Sequence, residues 1–335
     1  MEKIRSVNLG GWFVLERWIK PSLFLENNVN GNDETCFSKQ AVNKEEALYE
    51  HYKTFITKED IIWLQEQGIN QVRIPLPWWL YGDEQYVRSV HHIDNALDMI
   101  NNLGMNFMLD LHTAPGCQNG FDNGGIEGVI EWHKNEKHIE KTIEVLEKVV
   151  TRYKMYPHFH SIQLLNEPHF NTDLDIIRDF YVKAYNRLRK IIPDKYIVMH
   201  DAFRLSSWED FFKDNNFTNV ILDTHMYQVF DKHQADTNLE EHLEMALNRN
   251  KVLREIEKFV PVVVGEWSLA LRTNEYINKS NMEDCMKKYS SAQIEGMREA
   301  SGHIFWTYKV EDKHSAWNFR SLIERKIVNL EEYLK

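Results

Sequence analysis

Ser161-Ile162-Gln163-Leu164-Leu165-Asn166-Glu167-Pro168-His169 is the stretch on which the fold reading turns. Its first five residues mix β-branched and apolar types, as a short buried strand does. Proline cannot donate to a central ladder, so the strand ends at Asn166-Glu167-Pro168. A residue before proline is biased towards extended backbone, which predicts that Glu167 is held extended at the carboxyl end of the strand. A parallel α/β barrel carries its chemistry at that end. A solvated loop glutamate is the alternative.

A second stretch, Phe259-Val260-Pro261-Val262-Val263-Val264-Gly265-Glu266-Trp267-Ser268, is a more apolar strand that also ends in a glutamate. Two strands delivering carboxylates at one end point to paired acid/base and nucleophile chemistry on a glycosidic bond. Trp267 reads either as a platform for a sugar ring or as core. Working outward, eight strand-like runs emerge: Ser6–Leu9, Asn70–Leu76, Asn106–Leu111, Ser161–Leu165, Tyr196–His200, Asn219–Thr224, Val260–Gly265 and His303–Thr307. Amphipathic stretches lie between them, among them Lys58–Gln67, His92–Leu103, His138–Met155, Leu174–Ile192, Leu239–Lys258 and Asn281–Ala300, with apolar residues at three- and four-residue spacing. Strand–helix alternation predicts a parallel sheet, and eight repeats predict a closed one. The expectation is a single (β/α)₈ barrel spanning residues 1–335. A doubly wound fold would need a Gly-rich phosphate turn, and Gly10-Gly11 lacks the third glycine.

The formal net charge of −11 argues against nucleic acid or an anionic membrane as partner, and no apolar run is long enough to span a bilayer. The N-terminus shows no apolar leader, and Cys36, Cys117 and Cys285 have neither metal nor disulfide spacing. These features predict a cytoplasmic protein; they say nothing of oligomeric state. No metal is expected, because the fifteen histidines form no HExxH motif, and a Gly-x-Ser-x-Gly elbow is absent.

Unusual residues gather at the strand ends. Val72-Arg73-Ile74-Pro75 places an arginine inside a strand, which is costly unless paired; its expected partner is a catalytic carboxylate rather than a structural acid, with Pro75 marking the strand end. Asp110-Leu111-His112 offers a histidine that a backbone group could satisfy, followed by a loop rich in amides and glycine through Asn123. His225 and Tyr227 are two apart and share a face. Trp306 suits an aromatic floor, whereas Trp317 and Phe319 suit rim or core equally.

With these residues in hand, the chain resembles glycoside hydrolase family 5, and within it the exo-β-1,3-glucanase group. The resemblance rests on Val7-Asn8-Leu9-Gly10-Gly11-Trp12, Pro21-Ser22-Leu23-Phe24, Val72-Arg73-Ile74-Pro75, Asp110-Leu111-His112, Gln118-Asn119-Gly120-Phe121-Asp122-Asn123, Leu165-Asn166-Glu167-Pro168, His225-Met226-Tyr227-Gln228-Val229-Phe230, Gly265-Glu266-Trp267 and Phe305-Trp306-Thr307-Tyr308-Lys309, in order along the chain. It implies retaining hydrolysis of β-glycosides without metal or cofactor. Glu167 would be the general acid/base and Glu266 the nucleophile, with Asn166 on the sugar 2-hydroxyl. Arg73 and Tyr227 would bond the nucleophile, and His225 would sit near the acid/base. Glu16, His112, Asn123 and Trp306 would line the terminal-sugar pocket, and Phe121 and Phe230 would clamp the next sugar. The group usually has proline where Arg17 stands, the yeast enzymes are longer, secreted and disulfide-bonded, and Gly124 to Glu131 departs from the pattern. The implied substrate is a β-linked gluco-oligosaccharide or β-glucoside. A β-glucosidase on other aglycones, a disaccharide-releasing enzyme, an endo-glucanase and a catalytically silent sugar-binding barrel are the alternatives. The mechanism calls for carboxyls about 5–5.5 Å apart and for a Glu167 pKa raised by apolar surroundings and by the Glu266 charge.

Overall fold

The computed structural model describes residues 2–83, 85–230, 237–273 and 281–335. Eight parallel strands close into a barrel in sequence order: β1 (Ile4–Asn8), β2 (Gln71–Leu76), β3 (Asn106–Leu111), β4 (Phe159–Gln163), β5 (Tyr196–His200), β6 (Val220–His225), β7 (Val262–Trp267) and β8 (Gly302–Phe305), with β8 pairing back onto β1. Each overlaps one of the eight runs read from the sequence, with ends shifted by up to two residues. β2 continues one residue past Pro75; its pairing with β1 stops at Asn8↔Arg73, so the missing N–H of Pro75 faces no ladder acceptor there.

The covering helices begin where side chains meet the free N–H groups of a first turn. Thr57 and Asp60 form a capping box on Lys58–Glu66, Asn238 and Glu241 one on Leu239–Glu257, and Asn135 and Asp173 cap Glu136–Tyr153 and Leu174–Leu188. Three further helices, Pro21–Glu26, Glu34–Gln40 and Lys44–Thr54, precede Lys58–Glu66 in the β1–β2 connection, where only the Lys58–Gln67 stretch was expected.

Alternation along the strands separates two apolar layers. Ile4, Met108, Val198, Ile221, Val263 and Ile304, from six strands, form their own small cluster inside the barrel. Val7, Val72, Ile74, Leu109, Leu222 and Val264, on the opposite parity, join the large layer under the helices. Inward parity then assigns Asn8, Arg73, Asp110, Gln163, His200, Asp223 and His225 to the upper lumen, where every one is buried. By the same count Glu266, three residues after the inward Val263, should face outward. It does not, because the pairing changes register: Thr224 pairs with Val264 but His225 with Glu266, leaving Gly265 as an extra residue in β7. The same slip recurs against β8, where Val264 pairs with His303 and Trp267 with Phe305. This bulge turns Glu266 into the lumen.

Candidate active site

Arg73 is fully buried at the centre of the lumen. Its Nη1 donates to Glu266 Oε1 at 3.0 Å and to Asn8 Oδ1 at 2.7 Å, its Nη2 to Asn166 Oδ1 at 2.8 Å, and its Nε to Gln163 Oε1 at 2.9 Å. Nη2 also pairs with Asp110 at 3.1 Å. The expected choice between a catalytic and a structural acid is thus not made: one guanidinium fork serves both.

Glu266 is held from two sides, since the Tyr227 hydroxyl donates to its Oε2 at 2.8 Å. Burial and the Glu167 charge raise its pKa above the ordinary carboxylate value, against the pull of His225 and Arg73. Glu167 accepts from Asn123 Nδ2 at 2.9 Å and from His225 Nδ1 at 2.7 Å. Its backbone is not extended as expected from the following proline but left-handed, with φ of 44°. The pKa expectation is reversed too. Burial acts to raise that of Glu167, but the His225 hydrogen bond and charge, with His200 and Asn123, hold it at about 2. His225 carries the proton instead. Burial opposes its charge, but Glu266, Asp223 and Glu167 outweigh that and raise its pKa well above the usual value.

His225 Nδ1 lies 2.7 Å from Glu167 Oε1 and 3.4 Å from Glu266 Oε2. Those two oxygens are therefore at most about 6 Å apart, below the 6.5–9.5 Å that leaves room for an attacking water between two carboxyls. The arrangement suits direct attack by one carboxylate.

The remaining sequence-derived residues surround this pair. His112 is satisfied by a carboxylate rather than by backbone, its Nδ1 lying 2.5 Å from Asp110 Oδ2. Its ring is parallel to that of Trp306, with centroids 5.4 Å apart, and its Nε2 faces Asn166 Nδ2 at 3.5 Å. Glu16 accepts from the Trp18 indole N–H at 2.9 Å, while its Oε1 is buried without a partner among the described residues. Burial, together with the Asp122 charge, pushes its pKa well above the ordinary carboxylate value. Phe121 and Phe230 lie on different walls. Phe121 is 37% exposed and leans on His169, whereas Phe230 is 65% exposed against Tyr227 and Trp317. Trp317 belongs to this rim; Phe319 and Trp267 are core.

Glu167, His200 and His225 each bring a donor atom within 4.8 Å of the others, but they do not fit a metal. His200 Nδ1 accepts the Ala202 N–H at 2.9 Å, so Nε2 of the neutral ring carries the proton and offers no lone pair. Burial and the His225 charge hold the His200 pKa at about 3, which keeps that ring neutral.

The sequence reading missed Asp223, Asp110, Gln163 and Asn8. Asp223 accepts from Gly265 N at 2.8 Å, Gln163 Nε2 at 2.7 Å and His225 Nε2 at 3.2 Å. Asp223 and Asp110 each stand two residues before a singled-out histidine, so same-face spacing was the available signal.

Comparison with known proteins agrees with this geometry. The model of the family described as Cellulase (glycosyl hydrolase family 5) matches residues 30–312. A "Probable glucan 1,3-beta-glucosidase A" of Emericella nidulans is 34% identical, over 96% of this chain and 89% of its own. A "Glucan 1,3-beta-glucosidase" of Candida oleophila is 31% identical, over 98% and 88%. The crystal structure of a rutinosidase from Aspergillus niger superposes with a TM-score of 0.85 at 22% identity, covering 98% of both chains, which is a likeness of fold. A barrel that brings two buried glutamates to one histidine, matched over most of its length by these relatives, is a glycoside hydrolase, and the chain belongs to glycosyl hydrolase family 5.

Proposed function

We propose that this enzyme is a retaining β-glucosidase that removes single glucose units from the non-reducing end of short β-1,3-linked gluco-oligosaccharides or related β-glucosides. The observation that carries the reading is the single His225 nitrogen within reach of both Glu167 and Glu266, which limits their separation. In the first step Glu266 attacks the anomeric carbon and the bond to the departing oxygen breaks. The proton for that oxygen passes from His225 Nδ1 to Glu167 and on to the leaving group. In the second step Glu167, ionised in its resting state, removes a proton from water as the water attacks the anomeric carbon; the bond to Glu266 breaks and the proton returns through Glu167 to His225. Histidine, not a high carboxyl pKa, is then the proton store of the site. Asn166, His112 and Glu16 supply donors and acceptors for sugar hydroxyls, Trp306 a floor for the ring, and Phe121 and Phe230 a narrow entrance. The relatives named as glucan 1,3-beta-glucosidases support the choice of linkage. Cys36, Cys117 and Cys285 are all free thiols, which supports a reducing compartment such as the cytoplasm and hence a short, imported substrate.

The test is proton NMR of a β-1,3-linked glucose disaccharide during hydrolysis, beside a panel of nitrophenyl glycosides and long β-glucans. The β-anomer of glucose should appear first. Initial release of the α-anomer would overturn the retaining reading, and rapid cleavage within long glucans would overturn the exo reading.

A further inference from the structure

We infer that Asp223 is the positioning residue that aims Glu266, by occupying and bonding the β7 bulge. The argument begins with parity. Val263 faces the lumen, so Gly265 inherits the inward position and Glu266 the outward one, unless the extra residue is absorbed. The Asp223 carboxylate stands where an inward side chain at position 265 would stand: a Cβ there would lie 2.1 Å from Asp223 Oδ1. That same oxygen accepts the Gly265 N–H at 2.8 Å, a donor that the register slip takes out of the ladder with β6. The glycine and the aspartate are two halves of one device. The missing side chain admits the carboxylate, and the carboxylate fixes the peptide that carries Glu266.

The other oxygen ties this device to the rest of the site. Oδ2 accepts from Gln163 Nε2, and Gln163 passes its own carbonyl oxygen to Arg73 Nε. Replacing Asp223 by Asn keeps the volume but sets an N–H₂ group against the Gln163 and His225 donors. A compensating flip of the Gln163 amide would only move the conflict to Arg73, which can donate but not accept. The conflict thus reaches both the bulge and the guanidinium that holds Glu266.

The inference rests on Glu266 being the nucleophile, so the test must separate the two claims. The probe is 2-deoxy-2-fluoro-β-D-glucosyl fluoride, whose leaving group needs no proton, with the labelled residue identified by mass spectrometry. The wild type should be labelled on Glu266. D223N, folded as judged by circular dichroism at the assay temperature, should be labelled about 100-fold more slowly, with the rate constant falling and the half-saturating concentration little changed. If D223N does not fold, Gly265→Ala serves instead, since its methyl displaces the carboxylate while keeping the charge; slow labelling of the folded protein is again expected. Wild-type labelling rates in folded D223N or G265A would overturn the role of Asp223 and leave Glu266 as nucleophile intact. Failure of the wild type to label Glu266 would overturn both claims.

Discussion

Gly10 and Trp306 are packed so closely that a Cβ on the glycine would lie 2.8 Å from the indole. The contact explains a glycine two residues beyond β1: it leaves room for the ring that lies parallel to His112. Gly10→Ala should tilt that ring at an overpacking cost of about 1–3 kcal/mol. Raised KM for all glucosides, with a small drop in melting temperature, is the expected result; unchanged KM would show that the floor does not depend on this packing.

The roles of the two glutamates separate by leaving group. Glu266→Ala should abolish turnover of every substrate, because no ester can form. Glu167→Ala should slow a glucose disaccharide by about 10²–10⁴-fold and a dinitrophenyl glucoside far less, since that aglycone leaves without a proton. Equal losses across leaving groups would reverse or remove the assignment.

The acid limb of the kcat/KM profile should report ionisation of Glu266, whose pKa already lies above the ordinary carboxylate value. Tyr227→Phe deletes the hydroxyl that donates to Glu266 Oε2. Losing a donor to the ionised form raises the pKa further, so the acid limb should move to higher pH. A pH–rate titration of both proteins checks the sign; a shift to lower pH would contradict it.

Phe230 is 65% exposed, so Phe230→Ala should leave the melting temperature nearly unchanged. If the ring holds the second sugar, its loss should cost about 1 kcal/mol there, a roughly fivefold higher KM for a β-1,3-linked glucose di- or trisaccharide. A small aryl glucoside should be affected less. Kinetics on both substrates, with thermal melts of the same variant, decide the matter.

The barrel was legible because strand and helix periods alternate along the chain, and all eight strands overlap the runs read from the sequence. Tyr196–His200 and Asn106–Leu111 even have the expected bounds. The carboxylates were legible because glutamates beside strand-ending glycine and proline are unusual. What stayed hidden depends on three-dimensional closure. Counting by twos from Val263 points Glu266 away from the lumen, and only the bulge brings it back. The low pKa of Glu167 arises from His225, fifty-eight positions away, and could not be inferred from its apolar neighbours in the chain. Pro21–Glu26, Glu34–Gln40 and Lys44–Thr54 escaped notice because they cover the barrel rather than alternate with its strands.

The bonding of Arg73 has a consequence for assembly. Its five contacts go to Asn8 of β1, Asp110 of β3, Gln163 of β4, Asn166 just beyond β4, and Glu266 of β7. No half of the barrel contains them all, because β1 to β4 lack Glu266 and β5 to β8 lack the arginine itself. A chain still open between β4 and β5 or between β8 and β1 would keep Asp110 beside the cation but leave Glu266 out of place. Hydrolytic competence is thus tied to ring closure, and the first turnover of a refolding population would time the moment at which the two halves of the chain meet.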